Sequence, residues 1–550
     1  MKYILSKKLG VLLIVAILIF IVGCTNDGGA NPSASVPEVD SKSDTKNDSG
    51  SDAKKGGTLI IGMTAAGLPA LDTHSTQGQE GYRFVGFQVY DGLTRFDLTQ
   101  GEREPDVVPA LAKSWEAPKD GGVTWTFHLR DDVDFHDGTH FNADAVIFNL
   151  ERVLNQEFEY YSPQSSAGVS SNAQFIESYE KIDEYTITIT TKEPWSIAHV
   201  NLAWVFMGSP DAIKKYGNEE YLEHPAGTGP FKFESKIDGQ ELVLVPNEDY
   251  YGEVPKLDKL ILKPMPEPST RVAALLAKEI NWAEAPAPDS VARLKSDGYE
   301  IITGVYPHIW RAYLNEVSEP IKDVRVRQAL NYAIDRESMV NDLIGGLGTP
   351  STQYVYEGHP WFNEDAIDYS YDPDKAKQLL AEAGYPDGFD TRIIIPASGS
   401  GHMWPIPMTQ FIQQNFADIG VNLKIDVVEW PTFQQLSRAD FVDDRDALGY
   451  AHGTPTVTMR NFRSTFHSQD SGNRGKYINP KVDELIDQAF ASYDDDERNG
   501  LIKEASKIVT DEAAILFVVH DLNSRALATN VKGFVQPQSW FIDLNSVTVE

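Results

Sequence analysis

Residues 123–150 read VTWTFHLRDDVDFHDGTHFNADAVIFNL, a segment with several local structure signals in a row. Aromatic and apolar side chains alternate through residues 125–129, which predicts a strand. Residues 133–135 predict a second short strand, Asp137-Gly138 predicts a turn, and Asn142 is typical of a helix start. The segment therefore predicts a β-β-α unit.

This unit resembles the signature of the family 5 solute-binding proteins of ABC importers, which capture peptides, nickel chelates, glutathione and related solutes. Further segments resemble the same family. They are residues 56–59 (GGTL), 109–115 (PALAKSW), 225–231 (PAGTGPF), 246–252 (PNEDYYG) and 324–336 (VRVRQALNYAIDR). Their residues make turns and packing contacts, so they identify the fold and leave the solute open.

The resemblance implies an α/β protein with a bilobal periplasmic-binding-protein-like fold, in the large three-domain type II variant, with the ligand cleft between the lobes. The expected domains are residues 56–92, 226–318 and 515–550 for a discontinuous first domain, 93–225 for an inserted second and 319–514 for a large C-terminal third. The apolar strand at residues 514–519 is expected to return the chain to the first domain.

Helix signals recur in the third domain, where strands alternate with helices as in an α/β layer structure. Asp372 is expected to start a helix that ends at Gly384, and a second helix begins near Pro405 and ends at Gly420. Asn479 precedes a third. The strands between them are expected at residues 391–395 and 421–427.

The N-terminus predicts export and lipid attachment. Residues 1–23 have a basic start and an apolar run, as in a signal peptide, and Ile21-Val22-Gly23-Cys24 fits a lipobox. The alternative is a cysteine that happens to lie in an apolar run. Residues 24–55 are polar and predict a flexible tether. We therefore expect a protein anchored through Cys24 to the outer face of the cytoplasmic membrane.

Composition limits the partners and the chemistry. The formal net charge of the 550-residue chain is -33, which disfavours nucleic acid as a partner. Cys24 is the only cysteine, so neither a disulfide nor a thiolate metal cluster is expected in the chain. We expect a monomer without a cofactor.

The resemblance also points to ligand-binding residues. Peptide-binding members read Gly-Trp-x-x-Asp in one loop, and that aspartate holds the free amino group of the ligand. Residues 449–453 read GYAHG here, so Gly453 stands where the aspartate is expected. This departure weakens the case for ordinary peptides. Tyr450, His452 and Thr454 are the side chains that this loop offers instead.

Two arginines are candidates for an acidic group of the ligand. Residues 460–480 resemble the glutathione-type branch, but Arg460 lies where that branch usually has an Asp-x-Asp. A guanidinium there favours an acidic ligand group, or else it pairs with a surface acid. Arg83 follows the first strand and either reaches a ligand carboxylate or lies solvated on the surface.

Residues 398–405 (SGSGHMWP) form the last candidate contact. Glycines let a backbone approach a ligand, Trp404 offers a flat face, and His402 lies beside it. The helix that follows would favour an anion at its N-terminus.

The sequence therefore predicts a receptor that passes an oligopeptide, dipeptide or glutathione-like solute to membrane permease subunits. Acidic conjugates such as opines are a second choice. A metal-chelate receptor using His402 or His452 is an alternative. A secreted hydrolase is disfavoured because residues 397–401 (ASGSG) miss the Gly-x-Ser-x-Gly pattern, so no catalytic residue is assigned.

Overall fold

The computed structural model describes residues 56–74, 79–119, 121–397, 403–438, 447–452 and 458–550. The expected signal peptide, Cys24 and the tether lie outside these residues, as do His402 and Thr454.

Strands occur in every part of the described chain. They are β1 Thr58–Met63, β2 Thr94–Phe96, β3 Val107–Pro109, β4 Ala112–Glu116, β5 Thr124–Leu129, β6 Ile176–Asp183, β7 Thr186–Thr191, β8 Phe231–Ile237, β9 Glu241–Pro246, β10 Lys259–Pro264, β11 Trp282–Glu284, β12 Glu300–Ile302, β13 Ile309–Leu314, β14 Gly348–Pro350, β15 Phe389–Pro396, β16 Val421–Val428, β17 Ala447–His452, β18 Ile515–Asp521, β19 Arg525–Leu527, β20 Val531–Lys532 and β21 Thr548–Val549.

Helices lie between these strands. The α-helices are α1 Gln79–Gly81, α2 Phe87–Val89, α3 Ala143–Leu154, α4 Pro163–Ala173, α5 Ala198–Leu202, α6 Pro210–Glu220, α7 Pro268–Leu276, α8 Val291–Ser296, α9 Val324–Tyr332, α10 Arg336–Ser338, α11 Pro373–Glu382, α12 Pro405–Asp418, α13 Trp430–Arg438, α14 Met459–Phe466, α15 Pro480–Ala491 and α16 Asp495–Asp511. Short π-helical turns span Tyr82–Gly86 and Met339–Leu343, and 3-10 turns span Tyr221–Glu223 and Pro288–Ser290.

The β-β-α expectation is confirmed at both ends and wrong in its middle. Trp125 and Phe127 of β5 are buried, as the alternation predicts. The Asn142 side chain accepts a hydrogen bond from the amide of Ala145 and caps α3. Residues 133–135 form no strand, and a single bridge joins residues 134 and 140 around the turn. This connection is too short to form a hydrogen-bonded pair of strands.

Three larger sheets organise the described chain. One has seven strands in the order β12-β19-β11-β1-β10-β9-β8, with β1 parallel to both neighbours. A second has four antiparallel strands in the order β4-β5-β7-β6 and contains the β5 segment. The third has six strands in the order β14-β18-β13-β17-β15-β16. Their mixture of parallel and antiparallel pairs with covering helices is an α/β architecture.

The expected return of the chain to the first domain at residues 514–519 is wrong. This segment forms β18, which pairs antiparallel with β13 in the six-stranded sheet, with Leu516 opposite Ala312. All seven residues of β18 are buried, so the strand is sandwiched on both faces. The chain re-enters the seven-stranded sheet only at β19. β13 lies in the six-stranded sheet as well, although its residues fall within the range 226–318 that is expected for the first domain.

Candidate functional site

A cavity of about 190 Å³ lies where strands of the two largest sheets end. On the side of the seven-stranded sheet, Thr64 follows β1 and Glu284 ends β11. On the side of the six-stranded sheet, Ala397 follows β15 and Asp521 ends β18. Ligands of open α/β sheets bind at the carboxyl ends of strands, so this cavity is the candidate ligand site.

The first turn of α12 and the two residues before it form one wall of the cavity. Trp404 lies in this wall, together with Met403 and Ile406. Its half-buried indole offers the flat surface that the sequence predicts. Of the predicted ligand residues whose side chains the structure describes, Trp404 lines the cavity, whereas Arg83 and Arg460 do not.

The anion preference expected for the start of α12 is weak for a local reason. Pro405 and Pro407 have no amide hydrogen, and the amide of Met408 donates to the Trp404 carbonyl oxygen. Ile406 is therefore the one residue among the first three of the helix with an amide to offer. Any strong attraction for an anion must come from side chains.

Arg83 lies beneath the opposite wall, and the surface position considered for it is wrong. Its side chain is fully buried, and Nη1 and Nη2 donate to the two carboxylate oxygens of Glu284 at 2.6 and 2.8 Å. Arg525 Nε lies 3.3 Å from the same carboxylate. Burial alone would raise the pKa of Glu284, but Arg83 and Arg525 hold it below the usual range. The planar fork of Arg83 is thus occupied by Glu284.

Arg271 reaches the cavity from the same side. Its guanidinium is buried and donates to the backbone oxygens of Glu284, Met265, Pro266 and Ala285 at 2.5–2.9 Å. Burial lowers the pKa of Arg271 to about 10, so the group stays cationic at neutral pH. Glu80 lies buried nearby and accepts hydrogen bonds from Thr64, and burial raises its pKa. Three guanidinium groups thus meet two carboxyl groups, those of Glu284 and Glu80, on this side of the cavity, so its basic groups outnumber its acids.

Asp521 gives the other side of the cavity the opposite charge. Its carboxylate accepts a 3.0 Å hydrogen bond from the Tyr306 hydroxyl and another from the amide of Asn523. His308 Nδ1 lies 3.4 Å away. The side chains of Tyr306, His308 and Trp540 stack with ring centroids 5.2–6.3 Å apart. The cavity therefore has a basic side, an acidic residue and two indoles, those of Trp404 and Trp540.

The other predicted ligand residues lie elsewhere or outside the described structure. Arg460 is a half-buried residue of α14, and its Nη1 donates to Asn461 Oδ1 at 3.4 Å. Tyr450 and His452 belong to β17, where their backbones pair with residues 311 and 309 of β13. Contacts of Tyr450, His452, Thr454, His402 and Arg460 with a ligand stay predictions.

Sequence reasoning missed Arg271, Glu284, Asp521 and Trp540. Each is a single residue without a recognisable pattern around it, in a chain with 81 acidic residues. The available signal is indirect: β11 and β18 each end in an acid, and strand ends are where α/β sheets place ligand contacts.

Metal-ligand clusters and membrane-spanning helices are both absent from the part of the chain that the structure describes. No three His, Cys, Asp or Glu side chains in this part of the chain are grouped as a metal ion would require. Within the same residues, no helix has the length and apolar character needed to cross a membrane.

Comparison with known proteins places the chain in a family. Residues 106–473 match the family described as bacterial extracellular solute-binding proteins, family 5 Middle. Heme-binding protein A of Haemophilus influenzae is 29% identical over 567 residues, covering 99% of this chain and 100% of that protein. The dipeptide-binding protein of Escherichia coli is 29% identical over 488 residues, covering 85% of this chain and 89% of that protein.

A solved structure has the same architecture. DppA, an ABC transporter-associated periplasmic binding protein from Helicobacter pylori in complex with the peptide STSA, superposes with a TM-score of 0.78. It is 26% identical in sequence, and the match covers 90% of this chain and 99% of that one. The family match spans well over half of the chain. This chain belongs to the family 5 bacterial extracellular solute-binding proteins.

Proposed function

We propose that this protein is the lipid-anchored receptor of an ABC importer and that it captures a peptide-like solute in the cavity between the two largest sheets. The observation that carries the proposal is the cavity itself, which combines the Trp404 surface with side chains of both charges. Peptides need such a mixture because each has apolar side chains and charged ends. The name of the dipeptide-binding relative from Escherichia coli and the STSA complex of the Helicobacter pylori protein support the same class of solute.

The charges of the cavity favour a solute with an acidic group. Arg83, Arg271 and Arg525 are buried on one side, where Glu284 and Glu80 are the two buried acids that face them. Burial, followed by the neighbouring Arg83, lowers the pKa of Arg525 to about 9, so it too remains cationic at pH 7. The remaining positive charge attracts a carboxylate group of the solute to this side of the cavity. Dipeptides, oligopeptides and glutathione-like solutes all carry such a group.

The receptor passes its solute to the permease subunits after the two lobes close on it, as hinge-type binding proteins do. Cys24 carries the lipid that keeps the protein at the outer face of the cytoplasmic membrane. Residues 24–55 span the distance from the membrane to the folded body, which acts as a monomer.

Native mass spectrometry tests the solute class directly. Protein expressed without residues 1–24 is weighed before and after partial denaturation, and the released mass identifies any co-purified solute. A released peptide or glutathione-like mass is the expected result. A metal-containing mass would favour the metal-chelate alternative, and a sugar or lipid mass would contradict the proposal.

Trp404→Ala is expected to weaken binding of that solute by at least about tenfold, because the variant loses one aromatic face of the cavity. Titration calorimetry of the purified variant measures the change. Trp115→Ala is the matched control, since Trp115 is also half-buried but lies in β4, away from the cavity. Equal affinity of Trp404→Ala and the control would place the solute elsewhere.

Cys24→Ala is expected to abolish incorporation of an azide-labelled palmitate and to release the protein from the membrane fraction. The reason is that acyl chains supply the anchoring free energy, at about 0.8 kcal/mol per buried methylene. Ser33→Ala in the same segment serves as the control. Membrane-bound, labelled Cys24→Ala protein would show that the anchor is elsewhere.

A further inference from the structure

We propose that Asp521 binds the amino group of the solute. This inference rests on the proposed function, because it concerns the same cavity and a peptide-like solute. Peptide-binding members hold the amino group of the ligand with an aspartate at the position of Gly453. We infer that Asp521, at the end of β18, makes this contact instead.

Asp521 differs from the other acids around the cavity in its charged partners. Glu284 is matched by Arg83 and Arg525, and Glu267 is exposed at the rim. Asp521 is 8% exposed, and His308 is the one basic side chain among the described residues within 4 Å of its carboxylate. Neither a lysine nor an arginine of that part of the chain pairs with it. A buried carboxylate of this kind at a cavity wall is stabilised when a cationic group of a ligand binds beside it.

The Asp521 carboxylate can accept more hydrogen bonds than the protein donates to it. An ionised carboxylate has about four lone-pair sites. The Tyr306 hydroxyl and the Asn523 amide use two of them. Burial and the Asp521 charge raise the pKa of Tyr306 well above its usual value, so the hydroxyl keeps its proton and remains a donor. At least one site is left for an N–H of the solute even if His308 donates.

Aromatic side chains lie around the cavity beside Asp521. Trp404 and Trp540 both line the cavity with Asp521. The Arg83 guanidinium already lies over the Trp540 ring, 4.7 Å from its centroid, so Trp404 is the indole whose face remains for the solute. Ring faces attract ammonium groups, and the attraction strengthens when water is excluded. An acid beside aromatic rings therefore fits a primary ammonium better than a metal ion, which takes several oxygen ligands.

The basic side of the same cavity completes the match. Arg271 and its neighbours favour the carboxylate of the solute, whereas Asp521 favours the amine. A free peptide carries both groups, so the two sides also set its direction in the cavity.

Blocking the amine tests the assignment. A peptic digest of casein with added glutathione is offered to the protein in its free form and after complete acetylation of its amines. Native mass spectrometry then detects the bound masses. If Asp521 binds the amino group, free-amine peptides or glutathione should bind, and their acetylated forms should bind about 10- to 100-fold more weakly.

The Asp521→Asn variant tests the residue. It keeps the shape and removes the charge, and it is expected to bind the free-amine solute about 10- to 100-fold more weakly while its affinity for the acetylated solute is unchanged. Asp238→Asn is the matched control, because it makes the same change at an exposed acid outside the cavity lining, and binding should stay within about twofold.

The outcomes separate the two proposals. Equal binding of free and acetylated solute, or unchanged binding by Asp521→Asn, overturns the role of Asp521 and leaves the receptor of peptide-like solutes standing. Binding of neither form overturns the proposed solute class and this inference with it. If Asp521→Asn does not fold, the comparison of free and acetylated solute on the natural protein still decides.

Discussion

Lowering the pH from 7.5 to 4 is expected to reduce the free energy of unfolding by about 6 kcal/mol through two buried histidines alone. These are His74 and His520, which are 2% and 3% exposed. Burial is the main reason that the pKa of His74 falls to about 3 and that of His520 to about 4. In the unfolded chain both titrate near 6.5.

The direction follows from the number of bound protons. Between pH 4 and 6.5 the unfolded chain protonates both imidazoles, whereas the folded protein keeps them neutral. The unfolded state then binds more protons, so stability falls as the pH falls, by about 1.4 kcal/mol per pH unit for each histidine. Well above pH 6.5 both states are neutral, and the contribution to the slope vanishes.

Local contacts explain why the folded protein resists protonation. His74 Nε2 accepts the amide hydrogen of Phe206 at 2.9 Å, so a proton there would break that bond. Burial outweighs the attraction of Asp72, which favours the charged imidazole more strongly than Arg152 opposes it. His520 Nε2 lies 3.0 Å from Ser351 Oγ, and burial is the main cause that keeps its imidazole neutral.

Urea unfolding at pH values from 4.5 to 8.5 measures the slope. His520→Gln is expected to flatten it by about 1.4 kcal/mol per pH unit between pH 4.5 and 6, and His74→Gln should do the same. Each variant has its own internal control, since above pH 8 its slope should run parallel to that of the natural protein. An unchanged slope below pH 6 in both variants would contradict the buried neutral state.

The elements that depend on local chemistry were predictable from sequence. Asp372 caps α11 by accepting the amide of Lys375, and Asn479 caps α15 in the same way. Gly384 has the positive φ of +95° that ends a helix without strain. These signals act within a few residues, so one sequence contains them in full.

Long-range pairing was not predictable in the same way. β18 is apolar on both faces, and such a run fits any buried strand position. Its pairing with β13 depends on the packing of the whole sheet, which no short segment of sequence contains. The candidate site has the same difficulty: Arg83 and Glu284 are 201 residues apart, and neither segment identifies the other. Trp404 was found because glycines and a helix start mark its loop locally.

Replacing Glu284 by glutamine is expected to lower the free energy of unfolding by about 3–5 kcal/mol. The variant leaves Arg83 and Arg525 buried without their counter-ion, although a similar side-chain shape remains. Each guanidinium then loses a charge-assisted hydrogen bond in a site that water does not reach. The cost reflects two uncompensated cations rather than the loss of one contact.

An exposed pair gives the matched control. Arg103 and Asp106 lie 2.6 Å apart, but their side chains are 64% and 52% exposed. Asp106→Asn should therefore cost less than about 1 kcal/mol, because water solvates the arginine that remains. Urea unfolding at pH 7 compares the two variants, and equal costs would show that burial does not decide the strength of the Glu284 pairs.

A double variant separates charge from packing. If the cost of Glu284→Gln arises from uncompensated cations, then adding Arg83→Met should recover part of the lost stability, since it removes one of them and keeps the apolar stem. If the cost arises from packing, the second substitution adds a further loss. The sign of the coupling between the two substitutions thus decides whether this buried network is held by its charge balance.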